Sequence, residues 1–186
     1  MRFEAKKRKN QPQQTLTLQF DEVETPIGVV IVIAKSGVLY ALDFADCSER
    51  LEDLLSARLG PVTLNRVRDP GGFSSRVKAY FGGDIGALQD VPVETAGTPF
   101  QQTVWAALRK VQPGSTASYG ELAASIGRAG AARAVGSANA NNPVALAVPC
   151  HRIVGSDGSL TGYAGGIDRK RWLLKHESAA ATAKNS

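Results

Sequence analysis

Residues 148–153 read Val-Pro-Cys-His-Arg-Ile and place one of the chain's two cysteines directly beside one of its two histidines. A thiolate is a strong nucleophile, and an imidazole is the side chain best suited to accept a proton near neutral pH. Because Pro149 disfavours helical backbone at the residue before it, we expect the segment to enter extended or turning. Cys150 is therefore a candidate nucleophile and His151 a candidate base.

Other interpretations remain open for this thiol, and a buried, inert cysteine is the simplest. A structural zinc site needs about four ligands, and the second half of the chain offers Cys150, His151 and His176 without a CxxC or HxxxH spacing. A cysteine hydrolase would show turnover, and a thiol-redox protein would show reversible oxidation of the thiol. A hydrolase, however, normally takes its base from elsewhere in the chain and not from the next residue. Cys47 follows a predicted strand and is interpreted as a packed bystander.

The first half of the chain carries strand patterns followed by helix patterns. Alternating or β-branched apolar residues over 16–20, 29–34 and 38–44 predict three strands of an antiparallel meander. Helical spacing of apolar residues over 48–59 and again over 73–81 predicts two helices. Neither region has the pattern of a catalytic site.

The second half is predicted to be helical. Residues 98–101 (Thr-Pro-Phe-Gln) and 118–121 (Ser-Tyr-Gly-Glu) are capping boxes, and each predicts the start of a helix. A third helix is predicted from near Gly130 to about Ala140, and its short link to the second is typical of a helix-turn-helix. This third helix consists mostly of small residues around Arg133, which fits close packing against another element or close approach to a DNA duplex.

Length and composition limit the classes of protein. The chain has 186 residues, 43% of them hydrophobic, which suits one sizeable domain or two small ones. Two cysteines do not make a disulfide framework, so a reducing, intracellular setting is the simpler interpretation. The first fourteen residues lack the apolar run of a signal peptide, and no stretch approaches the ~20 apolar residues that span a bilayer. We expect a soluble, cytoplasmic protein.

Charge is distributed unevenly along the chain. Residues 15–97 carry seven Lys/Arg against twelve Asp/Glu, and residues 98–178 carry nine against four. The basic second half fits a nucleic-acid surface or a solvated face. Residues 1–14 carry five Lys/Arg against one Glu. These and residues 179–186 are expected to be disordered tails.

A set of motifs in one order gives the second half a family resemblance. The motifs are Ser118-Tyr119-Gly120-Glu121-Leu122-Ala123, Ala131-Ala132-Arg133-Ala134-Val135-Gly136, Asn142-Pro143, Pro149-Cys150-His151-Arg152, Gly162-Tyr163-Ala164-Gly165-Gly166 and Trp172-Leu173-Leu174-Lys175-His176-Glu177. Together they resemble the O6-alkylguanine-DNA alkyltransferases, also called methylated-DNA–protein-cysteine methyltransferases. The resemblance covers most of residues 98–178, and the first half agrees more loosely.

The resemblance implies a reaction in which Cys150 takes the alkyl group from O6 of guanine in DNA, irreversibly, so that each molecule acts once. His151 would take the thiol proton through a water, and Glu177 would orient His151. Tyr119 would donate a proton toward guanine N3, and Asn142 would fix the turn before the cysteine. Relatives that recognise alkylguanine without repairing it replace this cysteine, so Cys150 argues against that alternative. Repair of O4-alkylthymine stays open.

Further residues are implied to contact DNA and the flipped base. Arg133 would fill the stack that the nucleotide leaves, and Tyr119 would steer the phosphate, with the helix-turn-helix in the minor groove. The implied DNA-binding set is Arg133, Tyr119, Ala131, Ala132, Gly136, Ser137 and Arg152. The implied base pocket is Val148, Pro149, Ile153, Tyr163, Ala164 and Gly165, with backbone groups near these residues pairing with guanine.

The resemblance also implies the fold and the partners. The fold would be α+β, with a small antiparallel-sheet α/β domain over 15–97, similar to ribonuclease H, and a helical domain with a helix-turn-helix over 98–178. The partner would be double-stranded DNA containing O6-alkylguanine, bound without a membrane by a monomer, with cooperative binding left open. No cofactor is implied, and no metal is expected because the zinc-binding Cys/His set of some members is absent. Ala145 and Thr161 lie at pocket-rim positions and leave the tolerance for bulky alkyl groups open.

Overall fold

The computed structural model describes residues 15–184, and its sheet lies in the first half of the chain. The four strands are β1 (Leu16–Val23), β2 (Val30–Lys35), β3 (Val38–Phe44) and β4 (Val62–Arg66), in the order β3-β2-β1-β4. The β1–β2 and β2–β3 pairs are antiparallel, as the meander predicts. The prediction of a fully antiparallel sheet is wrong in one respect, because β4 pairs with β1 in parallel. The sequence pattern missed β4, which is an exposed edge strand without alternating burial.

Six α-helices lie within residues 15–184, two in the first half of the chain and four in the second. They are α1 (Ser48–Leu59), α2 (Phe73–Phe81), α3 (Pro99–Leu108), α4 (Tyr119–Ser125), α5 (Ala132–Ala140) and α6 (Ile167–Lys184). A short parallel pair, β5 (Ala117–Ser118) with β6 (Ile153–Val154), joins the start of α4 to the segment that follows Cys150. The α+β class and the helix-turn-helix of α4 and α5 are as the sequence predicts. Within residues 15–184, no helix is long and apolar enough to cross a bilayer.

Both predicted capping boxes form, and they fix where α3 and α4 begin. Thr98 Oγ1 accepts from the backbone N–H of Gln101 at 3.3 Å, and the Gln101 side chain accepts from the Thr98 N–H at 2.9 Å. Ser118 and Glu121 make the same reciprocal pair, at 3.1 and 2.7 Å. Each cap contributes about 1 kcal/mol to helix stability. The second cap makes Tyr119 the first residue of α4.

The C-terminal end of the chain differs from the expected disordered tail over residues 179–184. There α6 continues through Lys184, because this segment is rich in alanine, the best helix former. Ala180 and Ala181 also pack against the hydrophobic core. The other part of that prediction, residues 185–186, and the predicted basic tail, residues 1–14, lie outside the described residues.

One hydrophobic cluster contains residues from both halves of the chain. Val32 and Tyr80 from the first half and Val104 and Leu173 from the second are all buried in it. A smaller cluster lies between the sheet and α1, around Leu51. The boundary at residue 97 therefore remains a prediction, and the shared core holds the two halves together.

Candidate active site

Asn142 folds the loop that carries Cys150. Its Oδ1 accepts from the backbone N–H of Val144 at 3.0 Å, and its Nδ2 donates to the Val148 carbonyl at 2.7 Å. The same Nδ2 lies 3.4 Å from Cys150 Sγ. Within this loop Leu146 adopts a φ of +68°, which costs about 1–3 kcal/mol for a residue with a side chain. The Asn142 bonds hold that strained loop in place and fix the position of the thiol.

The first half of the chain holds the other end of this loop and the end of α5. The backbone N–H of Leu42, in β3, donates to the Pro143 carbonyl at 3.0 Å. Arg50 Nη1 donates to the Ala140 carbonyl at 2.9 Å, and Arg58 Nη2 donates to the Asn141 carbonyl. Cations at a helix C-terminus are favourable because they face the negative end of the helix dipole. The N-terminal half therefore positions both α5 and the cysteine loop.

Glu177, in α6, is the centre of a buried hydrogen-bond network behind the cysteine. Its carboxylate accepts from His151 Nε2 at 3.0 Å, from Arg152 Nε and Nη2 at 2.9 and 2.8 Å, and from the Tyr80 hydroxyl at 2.7 Å. A fifth donor is the backbone N–H of Gly114, at 3.2 Å. Burial acts to raise the pKa of Glu177, but the hydrogen bonds that His151 and Arg152 donate and the positive charge of Arg152 outweigh it and hold the pKa well below its usual value. Glu177 is therefore a carboxylate at neutral pH.

His151 is buried and neutral. Burial lowers its pKa below the usual value, although the bond to Glu177 opposes that shift. Because the ionised Glu177 can only accept, Nε2 of His151 carries the ring proton and Nδ1 keeps its lone pair. Nδ1 is buried and has no hydrogen-bond partner among residues 15–184. The imidazole is thus oriented to accept a proton at Nδ1.

The Cys150 thiol is held protonated until a base acts on it. The residue is 7% exposed. Burial raises the pKa of its thiol, and the Asn142 amide opposes that shift. Since only the thiolate is a strong nucleophile, reaction requires a proton acceptor nearby. His151, the next residue, has a free ring nitrogen for that purpose.

A cavity of about 460 Å³ lies between α5 and the loop over residues 162–164. Its lining is Tyr119, Gly136, Asn139, Ala140, Cys150, Gly162, Tyr163 and Ala164. The Tyr119 hydroxyl is 3.3 Å from the carbonyls of both Thr161 and Gly162, and burial raises the pKa of that hydroxyl. This volume lies in the range of about 300–1,000 Å³ that is typical of small-molecule sites. Tyr119, Gly136, Tyr163 and Ala164 therefore lie around one cavity with Cys150.

Comparison with known proteins agrees with this arrangement. The family model described as "6-O-methylguanine DNA methyltransferase, DNA binding domain" matches residues 99–179. The methylated-DNA–protein-cysteine methyltransferase of Shigella flexneri is 43% identical over 165 residues, which cover 87% of this chain and 96% of that protein. The chain belongs to the methylated-DNA–protein-cysteine methyltransferase family. The family member of Mycobacterium tuberculosis is also 43% identical, over 169 residues that cover 89% of this chain and 96% of that one.

Solved structures of the family share the fold. The crystal structure of the Mycobacterium tuberculosis O6-methylguanine methyltransferase has a TM-score of 0.73 at 37% identity and covers 88% of this chain and 94% of that one. The structure of Mycobacterium tuberculosis OGT in complex with DNA has a TM-score of 0.73 at 39% identity, with 89% and 94% covered. The enzyme of Pyrococcus kodakaraensis has a TM-score of 0.68 at 29% identity, with 86% and 98% covered. The sequence resemblance is thereby confirmed along most of the chain.

Arg152 is the clearest correction to the predicted DNA-binding set. Arg152 is 4% exposed, and its guanidinium pairs with Glu177 and donates to the Val111 carbonyl at 2.6 Å. A guanidinium with these buried partners does not reach a phosphate. By contrast, Arg133 and Ser137 are exposed on α5, and Ala131, Ala132 and Gly136 are half-buried beside them.

Part of the predicted base pocket lies behind the cavity and does not line it. Val148, Pro149 and Ile153 are buried, and the Val148 carbonyl already accepts from the Cys150 N–H at 2.8 Å and from Asn142. The Ile153 carbonyl accepts from the Lys170 ammonium. Gly165 packs behind Tyr163, since a Cβ there would lie 2.8 Å from that ring. The Val148 carbonyl therefore has both of its acceptor positions occupied, and the pairing of backbone groups near Cys150 and Ile153 with guanine stays a prediction.

Sequence reasoning missed several buried polar side chains that lie at or near this site. Lys170 is fully buried and bridges the carbonyls of Ile153 and Thr161, although it stands in an Arg-Lys-Arg run that is typical of a solvated surface. Tyr80, whose hydroxyl donates to Glu177, lies in the first half of the chain, where the sequence has no catalytic pattern. Asn139 lines the cavity, and its position within the small-residue helix was the one available signal. Among residues 15–184, no group of His, Cys, Asp and Glu has the arrangement of a metal site.

Proposed function

We propose that this protein repairs DNA by moving an alkyl group from O6 of guanine to Sγ of Cys150. The observation that carries the proposal is that Cys150 lines the cavity and is followed directly by His151, whose imidazole is bonded to Glu177. Membership of the methyltransferase family supports it, as does the DNA-binding domain that matches residues 99–179. DNA is the partner of the C-terminal half.

In the reaction, His151 Nδ1 accepts the thiol proton through one intervening water. Glu177 stabilises the imidazolium, because its carboxylate is ionised and bonded to Nε2. The thiolate attacks the alkyl carbon in line with the C–O6 bond. The S–C bond forms as the C–O6 bond breaks, and the electron pair passes to the guanine. Guanine takes up one proton, which balances the proton that the thiol has released.

Tyr119 assists this transfer from the cavity lining, and Asn142 assists it from the loop that carries Cys150. The Tyr119 hydroxyl lies in the lining, and its raised pKa keeps it a donor, so it donates toward guanine N3 as charge develops on the base. Asn142 keeps Sγ pointed at the alkyl carbon through its contact with the sulfur. The product is a thioether without a good leaving group. Each molecule therefore reacts once, and the reaction itself requires no cofactor.

The alkylated nucleotide reaches the cavity by leaving the duplex stack, at a cost of a few kcal/mol. Arg133 is exposed on α5 and fills the vacated position, and Tyr119 turns the adjacent phosphate. The small residues of α5 let this helix approach the minor groove closely. Because phosphate contacts dominate such binding, affinity falls steeply with salt and depends little on sequence. The protein acts as a monomer in this scheme.

The test is incubation with a duplex that carries radiolabelled O6-methylguanine, followed by mapping of the labelled peptide. We expect stoichiometric label on Cys150 that persists. Cys150→Ala removes transfer and keeps DNA binding, whereas Cys47→Ala, which changes the half-exposed thiol outside the cavity lining, keeps both.

Three outcomes contradict the proposal. Label that turns over indicates a hydrolase, and a wild-type protein that takes no label indicates a protein that binds DNA without repairing it. Loss of DNA binding together with transfer in Cys150→Ala indicates that the fold or the site is wrongly assigned.

A further inference from the structure

Asn139, in α5, has a carboxamide that is buried beside the reactive cysteine without a partner. The residue is 6% exposed and lines the cavity together with Cys150 and Tyr119. Neither its Nδ2 nor its Oδ1 has a hydrogen-bond partner among residues 15–184. Both a donor and an acceptor are thus unused at the place where the reaction occurs.

The neighbouring asparagines show how differently this chain treats a structural amide. Asn141 Nδ2 donates to the Ser137 carbonyl at 2.8 Å, and the Asn142 amide bonds to two backbone groups and contacts Sγ of Cys150. Buried polar side chains are paired in nearly all folded proteins, and an unpaired one costs free energy. An amide whose role was only to support α5 would be paired as these two are. The unpaired amide of Asn139 indicates a partner that enters the cavity.

The hydrogen-bonding pattern of the two possible lesions differs at this point. An O6-alkylated guanine has ring nitrogens without hydrogen beside its exocyclic amino group, so an acceptor and a donor stand next to each other. A carboxamide offers the complementary donor and acceptor, as asparagine does with adenine in the major groove. O4-alkylthymine offers only acceptors at N3 and O2, so it leaves Oδ1 unpaired.

Other acceptors near the cysteine are less available to the amino group. The Val148 carbonyl already has two donors, and the Ile153 carbonyl is bonded to the buried ammonium of Lys170. Among the side chains of the cavity lining, the Asn139 carboxamide and the Tyr163 hydroxyl have no partner within residues 15–184, and only the carboxamide offers a donor and an acceptor side by side.

We propose that Asn139 is a specificity-determining residue, whose carboxamide pairs with a ring nitrogen and the amino group of the flipped O6-alkylguanine and so discriminates against O4-alkylthymine. The assignment rests on the proposed function, since it concerns the base that enters the same cavity.

The experiment measures single-turnover transfer from two duplexes that differ only in carrying O6-methylguanine or O4-methylthymine. Asn139→Leu replaces the amide by an apolar side chain of similar shape. Loss of two hydrogen bonds slows transfer from O6-methylguanine about 10- to 100-fold. Transfer from O4-methylthymine changes much less, so the ratio of the two rates falls by about tenfold or more.

Thermal unfolding of the DNA-free protein separates this role from a structural one. Removing an unpaired buried amide raises the Tm, whereas removing a structural amide lowers it. Asn141→Leu is the matched control, because it removes the bond to Ser137 and lowers the Tm while the lesion ratio stays that of the wild type. Asn139→Ala, which keeps good helix propensity, repeats the measurement if the leucine variant does not fold.

The assignment is overturned if Asn139→Leu keeps the wild-type ratio or slows both lesions by one factor. It also fails if both Asn139 variants are unfolded, since the amide then supports the fold. A wild-type protein that takes no label from either duplex overturns the proposed function, and this assignment with it. A wild type that takes label, with an unchanged ratio in the variants, overturns the assignment alone.

Discussion

Replacing Glu177 by glutamine tests whether one buried carboxylate supports both the fold and the reaction. The change removes the charge that Arg152 faces at 2.8 Å and puts an amide donor in place of one of the two carboxylate oxygens, both of which now accept hydrogen bonds. Leaving a buried cation without its partner costs about 3–5 kcal/mol. For a chain of this size, each kcal/mol lowers the Tm by about 2–4 °C, so we expect a loss of about 6–20 °C.

The assay is a double-mutant cycle between Glu177→Gln and Arg152→Met, followed by thermal and urea unfolding. If the cost comes from the uncompensated charge, the double variant is markedly more stable than the sum of the two single losses predicts. Transfer from O6-methylguanine falls about 10²- to 10⁴-fold in Glu177→Gln, because the base loses its orientation and its counter-charge. Strictly additive losses, or a folded Glu177→Gln variant with the wild-type transfer rate, would refute the reasoning.

Two further predictions concern the DNA contact and the titration of the buried groups. Arg133→Ala slows transfer on duplex DNA far more than transfer from free O6-benzylguanine. Arg128→Ala changes an exposed arginine before α5 and is the control, which changes neither rate as strongly. Equal slowing of both substrates by Arg133→Ala rejects a role in nucleotide flipping. Burial lowers the pKa of His151, so transfer stays constant as pH falls to the ordinary histidine value of about 6.5 and declines only below it. The unfolded state binds more protons than the folded state at both His151 and Glu177. The free energy of unfolding is therefore highest above about pH 6.5, falls below that pH as His151 becomes protonated in the unfolded state, and falls further below about pH 4.3 because of Glu177. The Glu177→Gln variant lacks the loss of stability below about pH 4.3. A wild-type protein whose free energy of unfolding rises on acidification contradicts the predicted direction.

Local sequence signals predicted local structure well. The capping boxes at Thr98 and Ser118 act within four residues, so their pattern suffices to locate α3 and α4. Strand alternation likewise located β1 and β3. The missed strand β4 is exposed along its length, and an exposed strand has no alternation to recognise.

Long-range partners are the part that pattern alone did not supply. Arg152 looks like a DNA contact in a basic half, yet its partner Glu177 lies 25 residues away and was assigned to His151 only through the family resemblance. The third member of that network, Tyr80, is 97 residues from Glu177 in the sequence. Only the packing of α2 against α6 brings such groups together, and no local spacing encodes that packing.

The adjacency of Cys150, His151 and Arg152 has a physical explanation in the network around Glu177. The three residues form one 3₁₀ turn, in which each successive side chain points about 120° from the last. Cys150 therefore lines the cavity while the next two side chains contact the same carboxylate. Arg152 keeps that carboxylate ionised, which fixes the imidazole proton on Nε2 and leaves Nδ1 free to accept the thiol proton. A histidine beside the nucleophile can thus serve as its base without a direct contact, provided that the following residue holds the orienting charge in place.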